Sequence, residues 1–237
     1  MPVFLKNFMP KIIRVAILED HQSVIDGYMY RLRDAPQIEV VLTTAYSLHL
    51  EKSLQEIKVD VLLLDIHVPI SPENTSHTPI LLFVKKLKHT YPEMGIIAIS
   101  MHSSQSLIKA ITDAGASGYI LKDDHKTIRQ LSWVIATVGQ GGVYYSKHAH
   151  DALMSSLREE KSILTPRQIE LISLLAAYPH LTSAAVAFEL NVSHSTVRNL
   201  LSDIYSRLNV KNRSAAILVA QQKGLIPGQV KLPFSPE

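Results

Sequence analysis

Five short runs rich in Val, Ile and Leu, each followed by an amphipathic stretch of helical length, fill the first ~140 residues, and this alternation constrains the fold more than any other feature. The apolar runs are Ile12–Leu18 (IIRVAIL), Val40–Ala45, Val59–Ile66 (VDVLLLDI), Gly95–Ser100 (GIIAIS) and Gly118–Leu121. They are nearly continuous, as strands buried on both faces require. The stretches between them are Gln22–Asp34, Leu48–Ile57, Pro79–Thr90, Ser104–Ala114 and Asp124–Val138. In the last, Ile128, Leu131, Ile135 and Val138 recur at spacings of three or four, one face of a helix. The pattern predicts an α/β domain: a five-stranded parallel, doubly wound sheet with helices on both faces.

The pattern changes after Gly139-Gln-Gly-Gly, which reads as a helix end and turn. Ser146–Glu160 has a helical period through Ala149, Leu153 and Leu157 and ends in the charged run Arg158–Lys161. Thr165-Pro166 is a helix start, with Thr as cap and Pro in the first turn. Helices are expected at 166–177, 182–190, 194–208 and 213–223, with no strand pattern among them. The expected division is an α/β domain at 11–140, a linker helix at 141–162, an all-α domain at 163–227 and a loose tail at 228–237.

Composition narrows the functional classes. The chain of 237 residues is 46% apolar and 19% charged, a globular balance. It has no cysteine, which excludes a thiol nucleophile and a disulfide scaffold and fits a reducing cytoplasm. No apolar run reaches the ~20 residues of a membrane span, so no membrane partner is expected. Met1–Lys11, interrupted by Pro2, Lys6, Asn7 and Pro10, is not expected to be a secretory signal. Net charge is only +3, but residues 162–226 carry six basic against three acidic side chains, which permits nucleic-acid binding.

In an open parallel sheet, ligands bind beyond the carboxyl ends of the strands. There the sequence places Glu19 and Asp20 after strand one, Asp65 after strand three, Ser100 after strand four and Lys122 after strand five. Crowded carboxylates need a cation, and an oxygen-only set suits Mg²⁺. A lysine and a hydroxyl beside them suit an incoming anion. Together these are the parts for accepting a phosphoryl group on an aspartate.

This quintet, with Pro69 four residues after Asp65 and Lys122 in GYILK, resembles the receiver domain of two-component response regulators over about residues 12–140, which implies a flavodoxin-like fold. The resemblance implies that Asp65 takes phosphate from a sensor histidine kinase. It implies Mg²⁺ held by Glu19, Asp20, Asp65 and the backbone carbonyl of His67, with Ser100 and Tyr119 as a switch pair. On phosphorylation the Ser100 hydroxyl would move toward the phosphoryl oxygens and the Tyr119 ring would turn inward. The chain departs from the family in Val68, where Met is usual, and in Ile70–Thr78 (ISPENTSHT), which is long and lacks glycine.

Residues 182–208 read as helix, tight turn at Asn191-Val192-Ser193, and helix. In the second helix Val197, Leu200, Leu201, Ile204 and Leu208 share one face, and Ser195, Arg198, Asn199, Ser202 and Ser206 share the other. Arg and Asn are suited to bidentate contact with guanine and adenine edges. LTPRQIELISLL followed by VAFELNVSHSTVRNLLSDIYSRLNVKNRSAAI resembles the DNA-binding domain of the LuxR/NarL (FixJ) class over Leu164–Leu225. That implies Arg198, Asn199 and Ser202 at bases, and Ser195, Thr196, Lys211 and Arg213 among the DNA contacts, Thr196, Lys211 and Arg213 at phosphates. The last helix would be a dimer contact. Gln168 and Ala185 stand where the class favours Glu, Leu200 where it favours His, and Ser202 where a lysine often reaches the DNA.

The combined expectation is a cytoplasmic response regulator and transcription factor, not an enzyme. Without phosphate the receiver would cover the recognition helix or its dimer surface. Phosphate would favour a homodimer on double-stranded promoter DNA. Two other readings stay open: a regulator that binds DNA independently of phosphorylation, and a Mg²⁺-dependent phosphotransfer enzyme. Eleven histidines are present, but no His-x-x-x-His pair has a neighbouring glutamate, and His148 and His150 point to different sides of a helix. No transition-metal site is expected from these spacings. Trp133 is expected to pack on the fifth helix.

Overall fold

The computed structural model describes residues 12–158 and 163–228. The expected tail at 228–237 lies, apart from Gly228, outside these residues, as do Lys11, Met1–Pro10 and most of the charged run Arg158–Lys161. In chain order the elements are β1 (Ile13–Leu18), α1 (Gln22–Leu32), β2 (Ile38–Thr44), α2 (Ser47–Ser53), β3 (Val61–Asp65), α3 (Ile80–Thr90), β4 (Gly95–Ser100), α4 (Gln105–Asp113) and β5 (Gly118–Leu121). There follow α5 (His125–Arg129), α6 (Leu131–Gly139), β6 (Tyr144–Tyr145), α7 (Lys147–Arg158), α8 (Pro166–Ala177), α9 (Ser183–Glu189), α10 (His194–Leu208) and α11 (Arg213–Gln222).

The sheet is parallel throughout, in the order β2-β1-β3-β4-β5-β6. Strand order reverses between β1 and β3, and this opens a crevice at their carboxyl ends. β3, β4 and β5 are buried on both faces. Their side chains sort by alternation. Leu62, Leu64, Ile96, Ala98, Tyr119 and Leu121 join one core, whereas Val61, Leu63, Ile97, Ile99 and Ile120 join the other, beneath α1 and α6.

Two local details differ from the sequence expectation. The predicted helix 124–138 is broken at Gln130 into α5 and α6. A sixth strand, β6, pairs with the edge of β5 and extends the expected five-stranded sheet. Gly118 permits this, because a Cβ there would lie 2.6 Å from the Tyr144 carbonyl oxygen. Trp133 is 58% exposed rather than packed in the helix layer, and its ring meets Tyr144 edge-on at 5.5 Å.

The first core does not stop at the sheet. It runs through α3 and α4 into α8 and on to the remaining C-terminal helices. α8 is buried on more than one side, its polar Gln168, Glu170 and Ser173 as well as Ile169, Leu171, Ile172, Leu174 and Leu175, because the receiver-like domain covers one flank and α9–α11 cover the other. Its start is fixed by reciprocal bonds: the Gln168 N–H donates to the Thr165 hydroxyl, and the Thr165 N–H donates to Gln168 Oε1 at 2.9 Å. Among the described residues no helix is long and apolar enough to cross a membrane.

Thr165→Ala removes half of this capping box. It is expected to lower stability by about 1–2 kcal/mol, read from the urea midpoint, without loss of helix content at low denaturant.

Candidate functional site: an acidic crevice and an exposed helix face

The strand-end residues expected to act together do meet. Lys122 Nζ donates to Glu19 Oε2 and to Asp65 Oδ2, both at 2.8 Å. Glu19, Asp20, His21 and Asp65 each offer a donor atom, and these atoms lie within 4.8 Å of one another. The hard oxygens of the three acids, with two of the acids buried, fit a Mg²⁺ ion. Burial raises the Glu19 pKa, and the Asp65 charge raises it further against the opposing pull of Lys122. Burial disfavours the charged form of Lys122, but Asp65 and Glu19 outweigh it, so its pKa stands above the ordinary lysine value.

Ser100 and Tyr119 converge on one residue. The His102 N–H donates to Ser100 Oγ at 2.8 Å, and the Tyr119 hydroxyl donates to the His102 carbonyl at 2.7 Å. Tyr119 is fully buried, and burial pushes its phenol pKa up. Its ring lies inside in this structure. The His67 N–H donates to Asp65 Oδ1 at 3.1 Å.

Sequence reasoning did not single out three imidazoles that line the same crevice of about 600 Å³. His21 Nδ1 lies 2.8 Å from Asp20 Oδ1 and 3.1 Å from Glu19 Oε1. Burial lowers the His21 pKa, but the two carboxylates win and raise it. His77 comes from the long loop 70–78, and His102 follows β4. The side chain of His67 faces these rings too. Burial holds the His67 pKa down at about 4, and it also lowers His77 and His102.

The C-terminal helices carry the second candidate surface. Asn191 turns the chain with φ +50°, a conformation asparagine tolerates. Ser193 caps α10 by accepting from the Thr196 N–H at 3.1 Å, and its hydroxyl also meets those of Ser195 and Thr196. Val197, Leu201, Ile204 and Leu208 are buried against α8, α9 and α11. Ser195, Arg198, Asn199, Ser202 and Lys211 are exposed. Arg213 is partly committed within the domain, since its Nη1 donates to the carbonyls of Pro179 and Leu181 at 3.1 and 3.0 Å.

The receiver-like domain packs on α8, and the polar face of α10 is exposed, so of the two surfaces expected to be covered, the recognition helix or the dimer surface, the first is open. At this junction Lys85 donates to the buried Glu170 at 3.0 Å, and Arg167 donates to the other Glu170 oxygen and to the Leu190 carbonyl. Gly224, just after α11, abuts His102: a Cβ there would lie 3.7 Å from its Nδ1.

The family described as response regulator receiver domain matches residues 15–132, and the luxR family of bacterial regulatory proteins matches residues 162–220. The transcriptional regulatory protein MctR of Rhizobium johnstonii is 30% identical over 215 residues, covering 90% of this chain and 95% of that protein. The transcriptional regulatory protein DegU of Brevibacillus brevis is 26% identical over 235 residues, with 90% and 95% covered. A solved structure of RcsB from Salmonella enterica serovar Typhimurium, bound to promoter rprA in the presence of the phosphomimetic BeF3-, shares the fold. Its TM-score is 0.64 at 21% identity, over 88% of this chain and 98% of that one.

The lowered histidine pKa values make stability pH-dependent. Above the ordinary value of 6.5 these groups are neutral in both states. As pH falls from 6.5 toward 4 the unfolded chain protonates at His67 before the folded chain does, so the stability that the neutral His67 ring contributes is lost across that window, and His77 and His102 act in the same direction. Urea midpoints measured across this range are expected to fall for the wild type and to fall less for His67→Asn combined with His77→Asn.

Proposed function

The chain belongs to the response-regulator transcription factors that join a receiver domain to a luxR-family domain, and on that premise we propose that Asp65 is its phosphoacceptor, served by a sensor histidine kinase. The function is regulatory rather than enzymatic. The observation that carries the reading is the Lys122 ammonium held between Glu19 and Asp65 at the crevice floor.

An Asp65 carboxylate oxygen attacks the phosphorus of a phosphohistidine. The P–O bond forms as the P–N bond breaks, and the leaving imidazole keeps its electron pair. Glu19, Asp20, Asp65 and the His67 carbonyl would hold Mg²⁺, which supplies charge neutralisation for the incoming phosphoryl group. Lys122 is placed to pair with a phosphoryl oxygen once Asp65 is esterified. Ser100 then gives up the His102 N–H to donate its hydroxyl to the phosphoryl group. Because Tyr119 holds the same residue by its carbonyl, the event loosens one of the two bonds that fix His102. His102 abuts Gly224, and α4 packs on α8, so the loosening reaches the domain junction.

The domain division that supports this is a receiver at 11–140, a linker at 141–162 and a DNA-binding domain at 163–227. In the linker, β6 and α7 pack back on the receiver. Released from the junction, two chains would dimerise on promoter DNA with Arg198, Asn199 and Ser202 at base edges and Ser195, Thr196, Lys211 and Arg213 along the backbone. RcsB was seen on promoter DNA with a phosphomimetic, and two RcsB dimers on two parallel DNAs. The open α10 face also favours a second reading, DNA binding without phosphate.

With Mg²⁺ and a small phosphoamidate donor, intact-mass analysis is expected to show one phosphate per wild-type chain and none on Asp65→Asn. Phosphate on Asp65→Asn would contradict the acceptor assignment, and equal operator affinity of both proteins would favour the second reading. Arg198→Ala with Asn199→Ala is expected to weaken operator binding at fixed salt by at least about tenfold. Lys85→Glu sets a like charge against buried Glu170 and is expected to open the junction, read as a larger radius of gyration by X-ray scattering.

A further inference from the structure

We propose that His67, His77 and His102 form a site for a divalent transition ion of the zinc class, separate from the oxygen site of Glu19, Asp20 and Asp65. The three imidazoles come from three loops at the carboxyl ends of the sheet. The His67 and His77 ring centroids are 3.7 Å apart, and the His102 ring is stacked 6.4 Å from His67. Nδ1 of His67 and Nδ1 of His77 are both buried with no hydrogen-bond partner. A buried, unpaired nitrogen costs free energy, and two side by side in a polar crevice call for a shared partner. A cation bound by both lone pairs is such a partner.

The loop that brings His77 is built rather than loose. Pro69 and His77 form an antiparallel bridge, the Thr78 N–H donates to the Val68 carbonyl at 2.9 Å, and the Ile70 N–H donates to the Ser76 carbonyl at 3.1 Å. Ser71 and Asn74 close the tip through reciprocal backbone bonds at 3.1 and 3.2 Å. The long glycine-free insertion thus has a structural product: it sets an imidazole over His67.

The chemistry selects the ion. Neutral imidazole is the ligand form, and burial disfavours the charged form of His77 and His102. Imidazole favours Zn²⁺, Cu²⁺ and Ni²⁺, whereas Mg²⁺ favours the carboxylates below, so the two sites sort their ions by donor type. As they stand, the nitrogens of the three rings do not gather within 4.8 Å as the donors of the acidic group do, so a shared ion requires the imidazoles to turn about their side-chain bonds beside the crevice they line. Three histidines leave a fourth tetrahedral position for water or a ligand.

The site would also tie the two domains. His77 lines a small cavity with Ser173, Gln221 and Ile226, and His102 abuts Gly224. An ion joining these histidines braces the loops on which the DNA-binding domain rests.

The test is a titration of the full chain, saturated with Mg²⁺, with Co²⁺ followed by visible absorption, then displacement by Zn²⁺. One Co²⁺ per wild-type chain with tetrahedral-type absorption is expected. His77→Gln and His102→Gln are each expected to weaken binding at least about tenfold, while Asp65→Asn retains it. His77→Asn, checked for cooperative unfolding, serves as a second variant should His77→Gln fail to fold. Wild-type affinity in the His77 variants would overturn the proposal. So would loss of Co²⁺ in Asp65→Asn, which would assign the ion to the acidic site. Because no phosphoryl donor is involved, this outcome is independent of whether Asp65 is the acceptor.

Discussion

One ammonium group holds the crevice together. Without Lys122, Glu19 and Asp65 would face each other as buried like charges at the end of a parallel sheet, an arrangement that low dielectric makes costly. The lysine is brought there by β5, a four-residue strand, and the acids by β1 and β3, the two strands between which the strand order reverses. The site is therefore as well placed as the sheet is well packed. It is also left with more negative charge than one lysine neutralises, and this excess makes it receptive to a divalent cation.

From that crevice the structure offers a short mechanical route. His102 is held at its backbone N–H and at its carbonyl by the two residues expected to switch, Ser100 and Tyr119. It leads directly into α4, which packs on α7 and α8. α8 is the shared wall of two domains, and its Glu170 is ion-paired to both. Control exerted here would act on how the DNA-binding domain is held, since the α10 face itself is open to solvent. This differs from a design in which the receiver shields the reading surface.

Much of this was legible in the chain. The alternation of apolar runs with amphipathic stretches led to the parallel sheet, because burial on both faces leaves a continuous apolar signature. Of the four helices after Leu164, the first was marked by its cap, and Thr165-Pro166 starts it as read. What escaped has physical reasons. β6 is two residues long, below any periodic signal, and depends on the missing side chain of Gly118. The break at Gln130 leaves the apolar period intact, so the pattern could not register it. The interface role of α8 left no clear mark in the pattern, because Gln168, Glu170 and Ser173 interrupt its apolar positions and only packing between two domains buries them. The histidines escaped because spacing arguments find ligands on one element, and His67, His77 and His102 sit on three.

The central claim is that the acceptor crevice governs how the DNA-binding domain is held. The chain has no cysteine, so a pair introduced at the exposed positions Lys58 and Ser206 can carry spin labels without background. Distances between them, measured with and without Mg²⁺ and beryllofluoride, test the claim most directly. The account predicts one narrow distribution that becomes longer and broader when the phosphate mimic is added, and no change in the Asp65→Asn background. An unchanged distribution alongside a mimic-dependent gain in operator binding would contradict it.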